Sequence, residues 1–146
     1  MKPGFDYIGV TCVFYCYDNI GRLLLHKRSG KCRDEIGCWD AGGGKVEFGE
    51  TFEQAVRREV KEELCVDIKK LSFVGVNNVL RKHNSKQTHW IAILFACLID
   101  PKKLRNGDPD KISEIGWFHS NNLPKPLHSM YLTHLEFIKK ARIPIK

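Results

Sequence analysis

GKVEFGETFEQAVRREVKEELCV, residues Gly44 to Val66, decides how this chain is read. A glycine run (Gly42, Gly43, Gly44) leads into it, and Glu59, Glu62 and Glu63 stand near its end. An α-helix turns about 100° per residue, so positions i, i+3 and i+4 share one face. Like charges on one helical face repel, each pair costing about 0.2–0.5 kcal/mol. A divalent cation removes that penalty and turns it into affinity. Hard oxygen ligands in this arrangement suit Mg²⁺ or Mn²⁺ rather than zinc. The segment reads as a metal site for phosphate chemistry.

The local pattern supports a helix. Thr51 is placed to act as N-cap with Gln54 three residues later, a capping-box pattern. Phe52, Ala55, Val56, Val60 and Leu64 recur at helical spacing and are expected to face a core, with the three glutamates away from the Val56–Val60–Leu64 line. From the helix alone, an amphipathic surface helix with solvated or Lys/Arg-paired glutamates explains the same pattern. The glycine run shifts the balance, although three glycines by themselves describe a flexible loop equally well.

Upstream, Ile8–Tyr17 is rich in β-branched and aromatic residues and reads as a strand. Asp18-Asn19-Ile20-Gly21 supplies a turn, with Arg22–Arg28 as the hairpin partner. Ser29–Gly37 is a polar loop, and Cys38–Asp40 is a short extended piece. Downstream, Ile68–Val79 and Gln87–Ile99 read as strands around an exposed basic turn, Arg81–Lys86. Trp90–Ile99 is apolar on both alternations, as a strand buried on both faces would be. Pro101–Lys111 is a charged loop, Ile115–His119 a short strand, and Asn121–His128 a loop. Ser129–Ala141 is a closing helix with Met130, Leu135 and Ile138 inward. The expectation is one α/β domain over residues 1–146, a mixed β-sheet between helices.

Composition narrows the function. Six Glu against four Lys/Arg give Gly44–Val66 a net charge of −2, within a chain of +7, so the remainder carries +9. An acidic core inside a basic surround suits an anionic substrate bridging metal and protein. The same excess would serve nucleic acid, but no aromatic-basic RNA signature accompanies it, which makes nucleic acid the less favoured partner. Six cysteines (Cys12, Cys16, Cys32, Cys38, Cys65, Cys97) form no CxxC pair, and MKPGFDY has no signal-peptide core. Reduced thiols in a cytoplasmic protein are expected. The longest apolar run, Trp90–Ile99, is too short to span a bilayer, so no membrane partner is expected. A homodimer is compatible with the sequence.

Gly44, five residues, Glu50, seven residues, then Arg58-Glu59-Val60-Lys61-Glu62-Glu63-Leu64-Cys65-Val66 resembles the Nudix box. Six matches at that spacing arise by chance roughly once in ten million windows. Cys65 departs from the pattern, standing where the family has glycine at the helix C-terminus, at a cost of about 1 kcal/mol. Ala41 stands before the glycines where many members have proline.

The resemblance implies a Nudix-type α/β/α sandwich and assigns Glu59, Glu62 and Glu63 to Mg²⁺ or Mn²⁺, with the carbonyl of Gly43 as a further ligand. It makes Glu59 a candidate for orienting the attacking water, and pairs Glu50 with Arg58 as support beside Gly44. A late-loop carboxylate is expected from Asp108, Asp110 or Glu114, with Asp110 favoured. Arg28 is the expected phosphate clamp, with Lys45 and Lys27 as weaker candidates. Trp117, Phe118, Trp39 and Asn121 are candidates for holding a base. The implied activity is that of MutT-like enzymes: metal-dependent pyrophosphohydrolysis of a nucleoside triphosphate or related nucleoside diphosphate derivative, giving monophosphate and pyrophosphate. Nudix hydrolysis of a nucleotide sugar or capped RNA is an alternative, as is a non-catalytic nucleotide- or RNA-binding module.

Overall fold

Two parallel strands set the frame. In the computed structural model, which describes residues 1–146, β1 (Gly9–Tyr17) runs parallel to β6 (Lys86–Leu98), paired from Gly9↔Trp90 to Tyr17↔Leu98. Central parallel strands are covered on both faces and therefore read as continuous apolar runs. Ala92–Cys97 are buried throughout. β5 (Lys70–His83) pairs antiparallel with β6 and forms one edge.

The other side of β1 is shared. β4 (Gly42–Lys45) pairs antiparallel with Thr11–Phe14, while β2 (Leu23–Arg28) meets β1 only at Tyr17↔Leu23. β2 then departs to pair with β3 (Trp39–Asp40) on one side and β7 (Ile112–Phe118) on the other. The sheet is thus split, with the gap opening between β1 and β2.

Several local expectations change. The Asp18–Gly21 turn exists, but β2 is not a full hairpin partner of β1. The glycine run is a strand, and its reason is steric: a Cβ on Gly42 would collide with the Phe14 ring, and one on Gly44 with the Glu59 carboxyl. The basic turn shrinks to Asn84-Ser85, because β5 and β6 stay paired out to His83↔Lys86. β7 begins three residues earlier than the sequence suggests.

Helix α1 (Phe52–Leu64) packs on one face of the sheet, burying Ala55, Val56, Val60 and Leu64 against Cys12, Phe14, Ile93 and Phe95. Phe52, in the first turn, instead stays 47% exposed. The capping box is formed: Gln54 N–H donates to Thr51 Oγ1 at 3.1 Å and Thr51 N–H to Gln54 Oε1 at 2.8 Å, a motif worth about 1 kcal/mol. Helix α2 (Tyr131–Lys140) covers the opposite face through Tyr131, Leu135 and Ile138. Layers of helix, mixed sheet and helix result. No helix is long and apolar enough to cross a membrane.

Cys65 ends α1 in the left-handed region, φ 59°, with its N–H donating to the Lys61 carbonyl. Side chains adopt this conformation at a cost of about 1 kcal/mol relative to glycine. Cys65→Gly is therefore expected to raise the melting temperature by about 2–4 °C, measured by calorimetry; an unchanged or lower value would show that the Cys65 side chain offsets the strain.

Candidate active site

Arg58 is the hub. Its Nε and Nη2 grip Glu50 at 3.0 and 2.6 Å, Nη1 reaches Glu59 Oε1 at 2.7 Å and Glu62 Oε2 at 3.4 Å, and Nη2 also donates to the Lys45 carbonyl at 3.2 Å. The five N–H donors of a guanidinium match these five contacts. Glu50 is held down to about 2 by the hydrogen bonds from Arg58, helped by the Glu47 N–H. The loop after β4 is thereby fixed to α1.

Glu59 and Glu63 face the glycine strand from α1. Burial raises the Glu59 carboxyl, against the pull of Arg58. Burial raises Glu63 much further, reinforced by the charges of Glu59, Cys16 and Asp108, with only the Gly43 backbone N–H acting in the opposite sense. Glu63 Oε2 is buried without a hydrogen-bond partner. Glu62 is exposed at the rim. A buried carboxylate oxygen lacking a donor is costly, and a hard cation is what such an oxygen set fits. No three acidic, histidine or cysteine side chains converge on one point as they stand, and Arg58 holds both Glu59 and Glu62 in hydrogen bonds. A cation seated here would have to share those oxygens with Arg58.

The late loop docks on the end of α1: Gly107 N–H donates to the Glu63 carbonyl at 2.8 Å and Arg105 N–H to the Leu64 carbonyl at 3.0 Å. This places Asp108 in the cleft near Glu63. The favoured Asp110 lies outside: its side chain is 77% exposed and paired with Lys31 at 3.2 Å. Glu114 is likewise exposed, 4.0 Å from Lys27. Of the three late-loop carboxylates, Asp108 is the one that lines the cleft.

The cleft has a volume of about 820 Å³. Gly43, Gly44, Lys45, Glu59, Glu62, Glu63 and Lys111 line one end. Arg28 also lines it, but its guanidinium is committed to Asp34, to Oδ1 at 2.8 Å and to the carbonyl at 3.1 Å. It is not a free phosphate clamp. Trp117 is outside the cleft; it packs toward the α1-side core with the Arg22 guanidinium over its ring at 5.5 Å. Trp39 and Phe118 meet edge to face in the opposite core, centroids 5.3 Å apart, and Asn121 is exposed.

The other end of the cleft holds residues that the sequence did not single out. Asp40 is pushed up to about 7 by burial. His26 and His134 are lowered to about 4, also by burial. Met130 N–H donates to His128 Nδ1, so His128 Nε2 carries the proton that it gives to Glu35 at 2.7 Å. Arg81 closes this wall by reaching Glu35 at 2.6 Å. Only the position of Asp40 beside the glycine run was available as a signal; the histidines come from distant segments.

A split mixed sheet, a capped carboxylate helix under a glycine strand, and a cleft across the two define a Nudix-type sandwich. The NUDIX domain family matches residues 7–141, and the chain belongs to that family. A crystal structure of a MutT NUDIX hydrolase from Burkholderia pseudomallei superposes with TM-score 0.80 at 32% identity, over 91% of this chain and 99% of that one. The NUDIX domain of Shewanella oneidensis NrtR, in complex with ADP ribose, shares the fold at TM-score 0.70 and 17% identity, over 98% of this chain and 91% of that one. Among curated relatives, an ADP-ribose pyrophosphatase of Methanocaldococcus jannaschii is 39% identical over 71% of this chain and 58% of its own length. An 8-oxo-dGDP phosphatase of Mus musculus is 29% identical over 84% of this chain and 37% of its length. The chain thus spans roughly half or less of these two proteins.

Two outcomes follow from the geometry. Gly44→Ala is expected to displace Glu59 and lower metal affinity at least tenfold while the far sheet stays folded, read by calorimetric Mn²⁺ titration together with circular dichroism; wild-type affinity would remove the close-packing argument. The second concerns Asp40. The folded protein holds its proton up to about 7, whereas an unfolded Asp releases it near 3.9. The folded state therefore binds more protons between those values, and this contribution to stability falls as pH rises through about 7. Asp40→Asn removes that loss, so the melting temperature of the variant relative to wild type is expected to increase from pH 5 to pH 8. A difference independent of pH would show that Asp40 is already ionised.

Proposed function

We propose that this chain hydrolyses a pyrophosphate linkage in a nucleoside triphosphate or related nucleoside diphosphate derivative, releasing a nucleoside monophosphate and, from a triphosphate, pyrophosphate. The observation that carries the reading is the half-buried pair Glu59 and Glu63 against the glycine strand, with Glu63 Oε2 buried and unsatisfied. A module built only to bind an anionic nucleotide has no use for half-buried carboxylates at the phosphate end of its cleft.

The residues divide the work. Glu59, Glu62 and Glu63, with the Gly43 carbonyl and Asp108, form the oxygen set for Mg²⁺ or Mn²⁺. Bound there, the ion neutralises phosphate oxygens and lowers the pKa of a water. Glu59 is the group best placed to orient that water, since it is partly buried, faces Gly44 and keeps an Arg58 hydrogen bond that fixes its direction. Lys45 and Lys111 line the same end without a carboxylate partner and are free to take the remaining phosphates. Phosphoryl transfer asks little of the protein beyond such positioning and charge. The MutT relative of similar length supports the reaction class; the ADP-ribose and 8-oxo-dGDP relatives widen the range of substrates to be tried.

Glu62→Gln and Glu63→Gln are expected to cut turnover by about 10²-fold or more while leaving the circular dichroism spectrum intact. The assay is a screen of nucleoside triphosphates, oxidised nucleotides, ADP-ribose and dinucleotides with Mg²⁺ and Mn²⁺. Unchanged metal-dependent turnover in both variants would remove the site assignment. Tight binding of one nucleotide with no turnover of any would make the chain a sensing module.

A further inference from the structure

The cleft extends well past the carboxylate helix, and the fold explains why. Helix α2 has ten residues, about 15 Å, while β1 has nine, about 30 Å. The helix therefore covers one half of its sheet face and leaves the other half to the cleft. There Val13, Trp90 and Met130 surround the buried Ala92 and Val79 to make an apolar floor. Trp90 is fixed in place, since Gly4 and Gly9 lie so close to its ring that neither could carry a Cβ.

One wall of this lobe is polar. Asn77 Nδ2 donates to His134 Nε2 at 3.0 Å, which makes His134 a neutral imidazole. The His128 proton is given to Glu35. Asp40 stands in the same wall without a side-chain partner: Oδ1 accepts the Ala41 N–H at 2.8 Å, and Oδ2 is 3.9 Å from His128 Nε2, beyond hydrogen-bond reach. Its side chain stays 20% accessible from the cleft. Oδ2 therefore lines the cleft with no donor from the protein.

We infer that this lobe receives the heterocycle of the nucleotide on the Val13–Trp90–Met130 floor, and that Asp40 selects a guanine-type edge. A carboxylate offers two acceptor oxygens side by side and no donor. The ring N–H and exocyclic amino group of a guanine-type base present two adjacent donors, the pairing that a carboxylate completes in bidentate fashion. An adenine-type edge offers one amino donor beside a ring acceptor, which faces an oxygen lone pair. A hypoxanthine edge keeps the ring N–H and lacks the amino group. A site built for a donor rejects the analogue lacking it more strongly than an apolar pocket rejects a missing methylene. Phosphates are directed to the opposite end of the cleft, where Glu59, Glu62 and Glu63 would hold the cation that bridges them; on this side Arg28 and Arg81 are neutralised by Asp34 and Glu35, and Arg33 lies over the Phe5 ring.

This assignment rests on reading the chain as a nucleotide hydrolase, and binding in EDTA tests it apart from turnover. Calorimetric titration at pH 8, where Asp40 is ionised, with GMP, IMP and AMP is expected to rank them in that order, with GMP about tenfold or more tighter than AMP. Asp40→Asn is isosteric and keeps an acceptor for the Ala41 N–H; it is expected to weaken GMP about tenfold and leave AMP unchanged or tighter, with a thermal melt confirming the fold. Equal binding of the three nucleotides by wild type, or an unchanged GMP-to-AMP ratio in the variant, would overturn the role of Asp40. Because the wild-type ranking needs no variant, the proposal stands or falls even if Asp40→Asn misfolds. Absence of metal-dependent hydrolysis alongside GMP selectivity would overturn only the hydrolase reading.

Discussion

The contacts of one guanidinium hold the carboxylate end of the cleft together. Arg58 binds Glu50 in the loop, the Lys45 carbonyl at the end of β4, and Glu59 and Glu62 on its own helix. Bidentate arginine–carboxylate pairs are among the stronger polar contacts because charge and geometry reinforce each other. The Glu50 pair is partly shielded from solvent, with side-chain exposures of 26% and 15%, so salt screens it less than a surface pair. Loop, strand and helix are thereby fixed relative to one another, and the glycine strand can lie against carboxylates that would otherwise spread apart.

That arrangement leaves one group out. Glu63 lies on the same helix, too deep for Arg58, and its Oε2 has no donor. The hub therefore does two things at once: it shields the repulsion between Glu59 and Glu62, and it leaves Glu63 as the group whose environment most favours an incoming cation. Burial that makes the empty carboxyl hard to ionise also makes an ionised one bind a cation strongly, since both effects follow from the low local dielectric. In the proposed role, stability and function oppose each other at this residue, and the closely packed core under α1, from Cys12 to Ile99, offsets the local cost.

What was legible in the sequence was local. The spacing of Thr51 and Gln54, of Val56, Val60 and Leu64, and of Glu50 and Arg58 lies within one helix and the loop before it, where geometry follows from residue number. The apolar run of β6 was legible for a related reason, since a strand buried on both faces needs no partner to be recognised. What was not legible depended on distant segments. Gly42 and Gly44 become strand residues only because Phe14 and Glu59 come close from elsewhere. Asp108 displaces Asp110 as the cleft carboxylate because Gly107 and Arg105 cap the end of α1, a contact across more than forty residues. Trp117 had the right chemistry for a base platform, but β7 pairs with β2 on the far side of the split and carries it away from the cleft.

The same split explains why two buried carboxyls serve different ends of one cleft. Where β4 replaces β2 alongside β1, the sheet opens, and the open edge is bounded by α1 on one face and by the short reach of α2 on the other. Glu63 lies beside Gly43, Glu59 and Asp108, and the partner proposed for it is a cation. Asp40 sits among neutral imidazoles and apolar side chains, where nearby arginines are already paired, and its missing partner is an uncharged donor. The two carboxyls are both raised by burial, so burial alone does not assign their roles. The neighbours do: Lys45 and Lys111 stand without a carboxylate beside the helix glutamates, Arg28 and Arg81 beside Asp40 are paired with Asp34 and Glu35, and a molecule with phosphates at one end and a neutral ring at the other is the shape that satisfies both.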